Sequence, residues 1–472
     1  MTSPDPTPDP TPDPQVLASY LDRTRWFGGK GRPYAVTGVR ALGELPGGPP
    51  LVVIHLVELT YADEEGGVEL YQVPLVFYEH PEGRLDHAFV GWWEDPDHGW
   101  VHAYDALHDR EAMALWQRAF AEAADGEVLD AGGLHFHRLP GHDLDLTAHS
   151  TLFSGEQSNS SVAYGEDALM KVFRKVTPGV NPDIAVHEVL TRAGSEHVPA
   201  LYGWLEVRDG DQPLQLAMLQ QFLRTASDGW DLALASVRTL FADPEVHANE
   251  SGGDFAGEAT RLGEALRDVH ESLREHFPTE QRPPSAAAEL GATMVGRLEA
   301  ALSVVPELDE HAKGLRETFD EVARLDGVAV QQVHGDLHLG QTLRTSVGWK
   351  IVDFEGEPAK PLAERQLPDS PWRDVAGMLR SFDYAARVVE RSLSIGDEAE
   401  AELVDTRAEE WSERNKNHFL VAYAGGALTP DQQLLLNAYV ADKAVYETVY
   451  ETRNRPSWVT IPLQAVARIG AA

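Results

Sequence analysis

Val333-His334-Gly335-Asp336-Leu337-His338-Leu339-Gly340-Gln341, followed after a turn by Trp349-Lys350-Ile351-Val352-Asp353-Phe354-Glu355-Gly356, is the densest polar constellation in the chain. A loop carrying an aspartate and an amide precedes a hairpin-like return, whose apolar strand ends in a second aspartate. That order can bring three oxygen-bearing side chains together. One can orient a hydroxyl and take its proton, while hard oxygen ligands hold a Mg²⁺ ion that neutralises phosphate charge, the grouping that phosphoryl transfer needs. Asp336, on the tight Gly335 turn, is the expected base, and Gln341 and Asp353 are the expected metal ligands. Either aspartate alone would be read as a turn cap; the ordered set favours chemistry. His334 and His338 are spaced like a helical zinc pair, but the intervening glycine and the absence of a helical context count against one. His334 is expected to brace the loop through hydrogen bonds.

Composition narrows what such a centre can serve. The 472 residues exceed one ordinary hydrophobic core and predict two or three packed units. With 76 Asp and Glu against 39 Lys and Arg, the formal charge of −37 repels nucleic acids and anionic membranes, so a bound nucleotide needs a locally positive pocket or metal ions. The absence of cysteine excludes disulfides, thiolate metal sites and thiol nucleophiles. Met1–Pro14 lacks the basic and apolar parts of a secretory signal, and no apolar run spans a bilayer, so cytoplasm is the expected location.

Upstream, the Thr-Pro-Asp-Pro repeat through Pro14 predicts a disordered tail, followed by a helix over 15–21. Arg25-Trp26-Phe27 reads as a packing corner. Alternating stretches at 51–60, 68–77 and 87–93 predict antiparallel strands, and 110–123 a helix, so residues 15–132 form an α/β cap. A second strand-rich block starts near Leu134, with strands at 134–139, 151–153, 160–164, 169–173 and 214–222. A helix over 183–193 is entered through Asn181-Pro182. Residues 133–222 thus make a second subdomain. Residues 223–472 are helical, with helices at 255–275, 285–304, 307–325, 372–391, 398–423 and 432–453, interrupted by short strands near Val333 and Ile351.

His-Gly-Asp with an amide five residues after the Asp, then Ile-Val-Asp-Phe-Glu, resembles the catalytic core of the aminoglycoside phosphotransferase-like kinases. Within them the chain is most similar to the maltokinase family, through Val333–Thr345, Asp353–Pro358, Arg373-Asp-Val-Ala-Gly377, Leu379-Arg-Ser-Phe382 and Asp442-Lys-Ala-Val-Tyr-Glu447. The similarity covers most of the chain, including the cap around Arg25–Phe27. Gln341 stands where the wider pattern has Asn, and its amide oxygen preserves the metal ligand. The resemblance implies an α+β, bilobal protein-kinase-like fold, with a strand-rich N-lobe, a helical C-lobe and an added N-terminal cap. It also implies ATP and Mg²⁺ as cofactors, a maltose acceptor giving maltose 1-phosphate on a route to α-glucan, and trehalose synthase as a partner. A monomer or weak dimer is expected.

The remaining parts of a kinase can be sought residue by residue. Ser154–Ser161 lies between two predicted strands and suits a phosphate-covering loop, placing Ser158, Asn159 and Ser160 on ATP, although it has one glycine and equally reads as a polar hairpin. Lys171 is a lone cation in an apolar strand, which requires a buried partner or a phosphate; Glu188 on the next helix is the expected partner. By resemblance Gln220, Gln221 and Phe222 form the adenine-binding hinge. The acceptor site should combine carboxylates, amides and aromatic faces. Candidates are His338, Glu355, Arg380, Asp383, Trp411, Arg414, Tyr446, Glu447 and Glu451, set against the ordinary core role of helical Trp and Tyr. Acceptors left open are maltose and an amino sugar such as glucosamine or an aminoglycoside; a non-catalytic pseudokinase is the third reading, disfavoured by the four intact residues Lys171, Asp336, Gln341 and Asp353.

Overall fold

The computed structural model describes residues 10–63, 66–154, 159–243, 245–357, 360–393 and 397–470. The chain divides into two compact units, residues 1–185 with 199–224, and residues 186–198 with 225–472.

The first unit contains two antiparallel sheets. Its elements run α1 (Pro14–Leu21), β1 (Tyr34–Glu44), β2 (Leu51–Tyr61), β3 (Val68–Tyr78), β4 (Phe89–Asp95), β5 (Gly99–Asp105), α2 (Arg110–Glu122), β6 (Val128–Ala131), β7 (Leu134–Arg138), β8 (Ser150–Leu152), β9 (Asn159–Tyr164), β10 (Ala168–Phe173), β11 (Lys175–Val176), the start of α3 (Pro182–Arg192), β12 (Leu201–Asp209) and β13 (Gln212–Gln221). The cap sheet is ordered β1-β2-β3-β5-β4, with β11 also paired to β3; the second is ordered β6-β7-β12-β13-β10-β9-β8. Strand β2 is apolar almost throughout because the cap sheet is covered on both faces. Val53, Val57 and Leu59 pack with Leu17, Trp26 and Phe27, while Val52, Ile54 and Leu56 join the core holding Trp116, Phe136 and Met170. Trp26 and Phe27 therefore form the packing corner that the composition predicts, while Arg25 stays exposed.

Three expectations shift here. The expected tail ends sooner, because Asp13 caps the helix by accepting from Gln15 N and Pro14 fills its first position. Pro10 O accepts from buried His55 Nε2 at 2.9 Å, and residues 1–9 lie outside the described residues. Strand β1 escapes the alternation test because register shifts at Val36/Gly38 and Ala41/Gly43 break its period. The second sheet begins at Val128, six residues before the expected Leu134.

The second unit is helical, with α4 (Gly229–Phe241), α5 (Ala256–His276), α6 (Pro284–Leu302), α7 (Ala312–Val322), α8 (Leu362–Arg365), α9 (Trp372–Ser392), α10 (Glu398–Ala424), α11 (Pro430–Asn454) and α12 (Thr460–Gly470). Its short strands are β14 (Ser227–Asp228), β15 (Glu280–Arg282), β16 (Val328–Val330), β17 (Thr342–Thr345) and β18 (Gly348–Ile351). The helix expected over 307–325 is two pieces, a 3-10 turn Pro306–Glu310 and then α7. One core runs through Leu266, Phe319, Leu339, Phe354, Phe382 and Trp411. Among the described residues no helix is long and apolar enough to cross a membrane.

Candidate active site

The loop between β16 and β17 is held from beneath by α9. Asp374, fully buried in the first turn of that helix, accepts from His334 N at 2.7 Å, Gly335 N at 2.8 Å and His270 Nε2 at 3.0 Å. Burial opposes its charge, but these bonds and the His270 imidazole hold its carboxyl below the ordinary range. His334 donates from Nε2 to Val352 O at 3.0 Å and accepts from Asp336 N at Nδ1 at 3.3 Å. It thus ties the loop to the second aspartate strand as expected. Gly335 has φ +87°, which a side chain would strain. Gly377 lets α9 approach, since a Cβ there would meet Leu337 O at 2.4 Å.

Asp336 faces a cation that the sequence reading did not select. Lys443 Nζ, from α11, lies 3.2 Å from Asp336 Oδ1. Burial pulls the Lys443 ammonium down, but Asp336 and Glu447 outweigh it and hold the pKa above its usual value. Both line a cavity of about 700 Å³, together with Asp228, Trp230, His338, Glu357, Tyr384, Tyr446, Glu447, Tyr450, Glu451 and Trp458. Tyr446 and Tyr450 stack at 6.4 Å and are partly exposed. Burial pushes His338 below its ordinary pKa, and its Nδ1 accepts from Gly340 N. Four of the acceptor candidates, His338, Tyr446, Glu447 and Glu451, therefore line this cavity.

Gln341 and Asp353 meet as their order predicts. Gln341 Nε2 donates to Asp353 Oδ2 at 2.9 Å, across the β17–β18 hairpin. Asp353 is the one described non-glycine residue with positive φ, +69°. Strain of this kind collects at functional positions.

In the first unit, Lys171 on β10 has the buried partner its position demands, but it is Asp183 rather than Glu188. Nζ lies 2.9 Å from Asp183 Oδ2, the side chains being 12% and 2% exposed. Asp183 is in the first turn of α3, which Asn181 caps by accepting from Asp183 N. Glu188, one turn further, instead pairs with Arg192 at 2.9 Å. Ser160 is buried on β9, where its Oγ accepts from Arg174 Nε at 2.8 Å. Asn159 is also buried, and Ser158 lies outside the described residues. Gln221 N and Phe222 N donate to Ala200 O and Asp167 O, so any adenine contact at those two positions would have to use their carbonyls; Gln220 is buried in β13.

Other candidates have structural work. Trp411 is buried, donating from Nε1 to Ser236 Oγ at 2.9 Å and packing on Phe255 and Phe382. Arg414 pairs with Asp254 at 2.7 Å. Glu355 is the exception: it is outside the cavity lining, but an oxygen of its carboxylate lies within 4.8 Å of one of Asp353, a grouping that could hold a metal ion. Arg380 acts from behind the wall, donating from Nε and Nη2 to Glu447 Oε2 at 2.9 and 2.7 Å, and from Nη1 to Asp383 at 2.7 Å. Asp374, Lys443, Trp230 and Asp228 were missed. Asp374 and Lys443 fall inside quoted family patterns, and a charge on a buried helical face was the available signal.

The family model for the maltokinase N-terminal cap domain matches residues 20–109. A glucosamine kinase of Streptacidiphilus jiangxiensis is 30% identical over 323 residues, 65% of this chain and 70% of the relative. One of Mycolicibacterium smegmatis is 27% identical over 331 residues, covering 65% and 76%. The solved structure of a glucosamine kinase in complex with glucosamine, ADP and inorganic phosphate superposes with a TM-score of 0.69 at 23% identity, over 98% of this chain and 100% of that one. This chain thus has the kinase-like fold expected from its sequence, strand-rich first and helical after, preceded by the cap. With a 30% identical relative covered over 70% of its length, and with this cap, the chain belongs to the family of the glucosamine kinases and maltokinase-like sugar kinases, ATP-dependent enzymes that phosphorylate a sugar.

Proposed function

We propose that the acceptor is an amino sugar, glucosamine, phosphorylated on a hydroxyl by ATP. The observation that carries this is Asp228 in the cavity above Asp336. Its carboxylate caps α4 by accepting from Asp231 N, and among the described residues it has no cationic partner, whereas Glu447 and Glu451 have Arg380 and Arg455. A half-buried carboxylate beside the aromatic faces of Trp230 and Tyr450 suits an ammonium on a sugar ring. The relatives named as glucosamine kinases support the same reading.

In this reaction the acceptor hydroxyl donates its proton to Asp336 as its oxygen attacks the γ-phosphorus, and the bond to the bridging oxygen breaks to release ADP. Lys443 fixes the orientation of Asp336 and keeps its oxygen aimed into the cavity. Lys171, neutralised by Asp183, is the group of the first unit offered to ATP phosphates. The carboxylate of Asp353 and the amide oxygen of Gln341 are the hard oxygen donors that would hold Mg²⁺, the amide turning to present its oxygen where Nε2 now donates to Asp353 Oδ2. Mg²⁺ held there would neutralise phosphate charge.

The cap-domain match favours a second reading, maltose as acceptor, and with it the α-glucan route and a trehalose synthase partner. The absence of cysteine supports a cytoplasmic setting for either. Purified protein with Mg-ATP, offered glucosamine, maltose, glucose and kanamycin, separates them by ADP release. Turnover of maltose without glucosamine would overturn the first reading, and no turnover of any acceptor would overturn both.

A further inference from the structure

A second cavity of about 640 Å³ lies among α7, α9, α10, α11 and α12. It shares the walls α9 and α11 with the acceptor cavity, but among the described residues no side chain lines both. Its size is that of small-molecule sites, roughly 300–1,000 Å³. Its floor is a chain of mutually paired charges. Asp383 accepts from Arg380 Nη1 at 2.7 Å, from Ser412 and from Lys416, which also holds Glu413 at 3.0 Å. Such a floor offers hydrogen-bond dipoles and no uncompensated buried charge for a phosphate or an ammonium; the other charged groups of the lining are Arg468, paired with Glu409, and the exposed, water-facing carboxylates of Glu317 and Glu321. Amides of Asn417, Gln433 and Asn437 surround it beside an apolar wall that includes Leu420. That chemistry suits a ligand with many hydroxyls, no charge and one hydrocarbon face.

We propose that this cavity is an effector site for a neutral, hydroxyl-rich molecule of sugar size, and that Arg380 reports its occupancy to the acceptor cavity. Arg380 is 1% exposed and is the common member of both systems. It lines the second cavity, while its Nε and Nη2 hold Glu447, which lines the first. A hydroxyl that engages Asp383 or Arg380 alters how firmly Glu447 is held. Acceptor affinity and effector affinity then change by the same factor.

Maltose, trehalose and glucose, titrated calorimetrically into the full chain holding Mg·ADP, provide the test. At least one should bind one-to-one, survive Trp230→Ala in the acceptor cavity, and weaken ten-fold or more in Asn437→Trp, which fills the second cavity from an exposed position. Gln433→Ala, which only removes an amide, should weaken it too. Saturating neutral sugar should shift the KM of the acceptor that turns over by about five-fold, a typical coupling, and not in Asn437→Trp. Binding of none of the three sugars would overturn the site, as would binding lost in Trp230→Ala but kept in Asn437→Trp. Binding with an unchanged KM would overturn the relay through Arg380.

Discussion

Arg174 Nη2 lies 2.7 Å from Asp105 Oδ2, with both side chains 1% exposed, and this pair joins the cap sheet to the end of the strand that carries Lys171. Tyr20 donates to the same carboxylate at 2.5 Å, and Trp26 covers the guanidinium at 4.5 Å. Burial works against the charge on Asp105, yet Arg174 holds its carboxyl below the usual range. Removing one member strands a buried cation. Asp105→Ala is expected to cost about 3–5 kcal/mol in urea unfolding, and Asp105→Ala/Arg174→Met to recover most of it. A double variant no more stable than the single one would show that the ion pair itself, not the orphaned charge, matters.

Lys443 orients the expected base. Lys443→Met should lower kcat about 10²-fold, because a misaimed base loses its near-attack geometry, with the ATP KM nearly unchanged. Asp336→Asn should remove turnover, by roughly 10²–10⁴-fold or more, while nucleotide still binds. Steady-state kinetics and nucleotide titration check both; retained activity in Asp336→Asn would refute the assignment.

Asp228→Asn keeps the helix cap, since asparagine caps as well as aspartate, and removes only the charge. The KM for glucosamine should rise about ten-fold, roughly 1.4 kcal/mol, with that for glucose unmoved. An equal rise for both sugars would remove the ammonium contact.

Asp383 supplies a pH dependence. Burial raises its pKa, but Lys416 and Arg380 outweigh it, bringing the value to about 2 from 3.8. A carboxylate depressed on folding stabilises the native state above its unfolded pKa, and that stability is lost as pH falls from near 4 toward 2. The contribution is roughly 2 kcal/mol. The difference in unfolding free energy between wild type and Asp383→Asn should therefore shrink as pH is lowered from 5 to 2.5. A difference independent of pH would exclude the linkage.

The geometry of the candidate loop was legible because the residues that meet in it are close in sequence. His334, Asp336, Gln341 and Asp353 sit within one loop and hairpin, where local geometry decides which groups meet. Partners brought by distant helices were not. Lys443 is 107 residues from Asp336, and nothing in α11 alone tells which of its charged residues turns toward the loop. The same limit explains Lys171. Asp183 and Glu188 both lie on the helix after β10, and choosing between them needs the direction of each side chain, which packing sets. Trp411 shows the converse: its type admits a sugar platform, but helical spacing favours the core, and the core holds it.

The pairing of β11 with β3 has a consequence for gene design. Gln72 spends its amide on Phe173 O at 2.6 Å and on Leu216 O, so the cap supplies donors that the neighbouring sheet lacks. A fragment beginning at Val128 would not encode a smaller kinase. It would leave an open strand edge, two hungry carbonyls and a buried arginine without its counter-ion, a recipe for aggregation. Hydrogen exchange should accordingly find cap and second sheet opening together, as a single cooperative block.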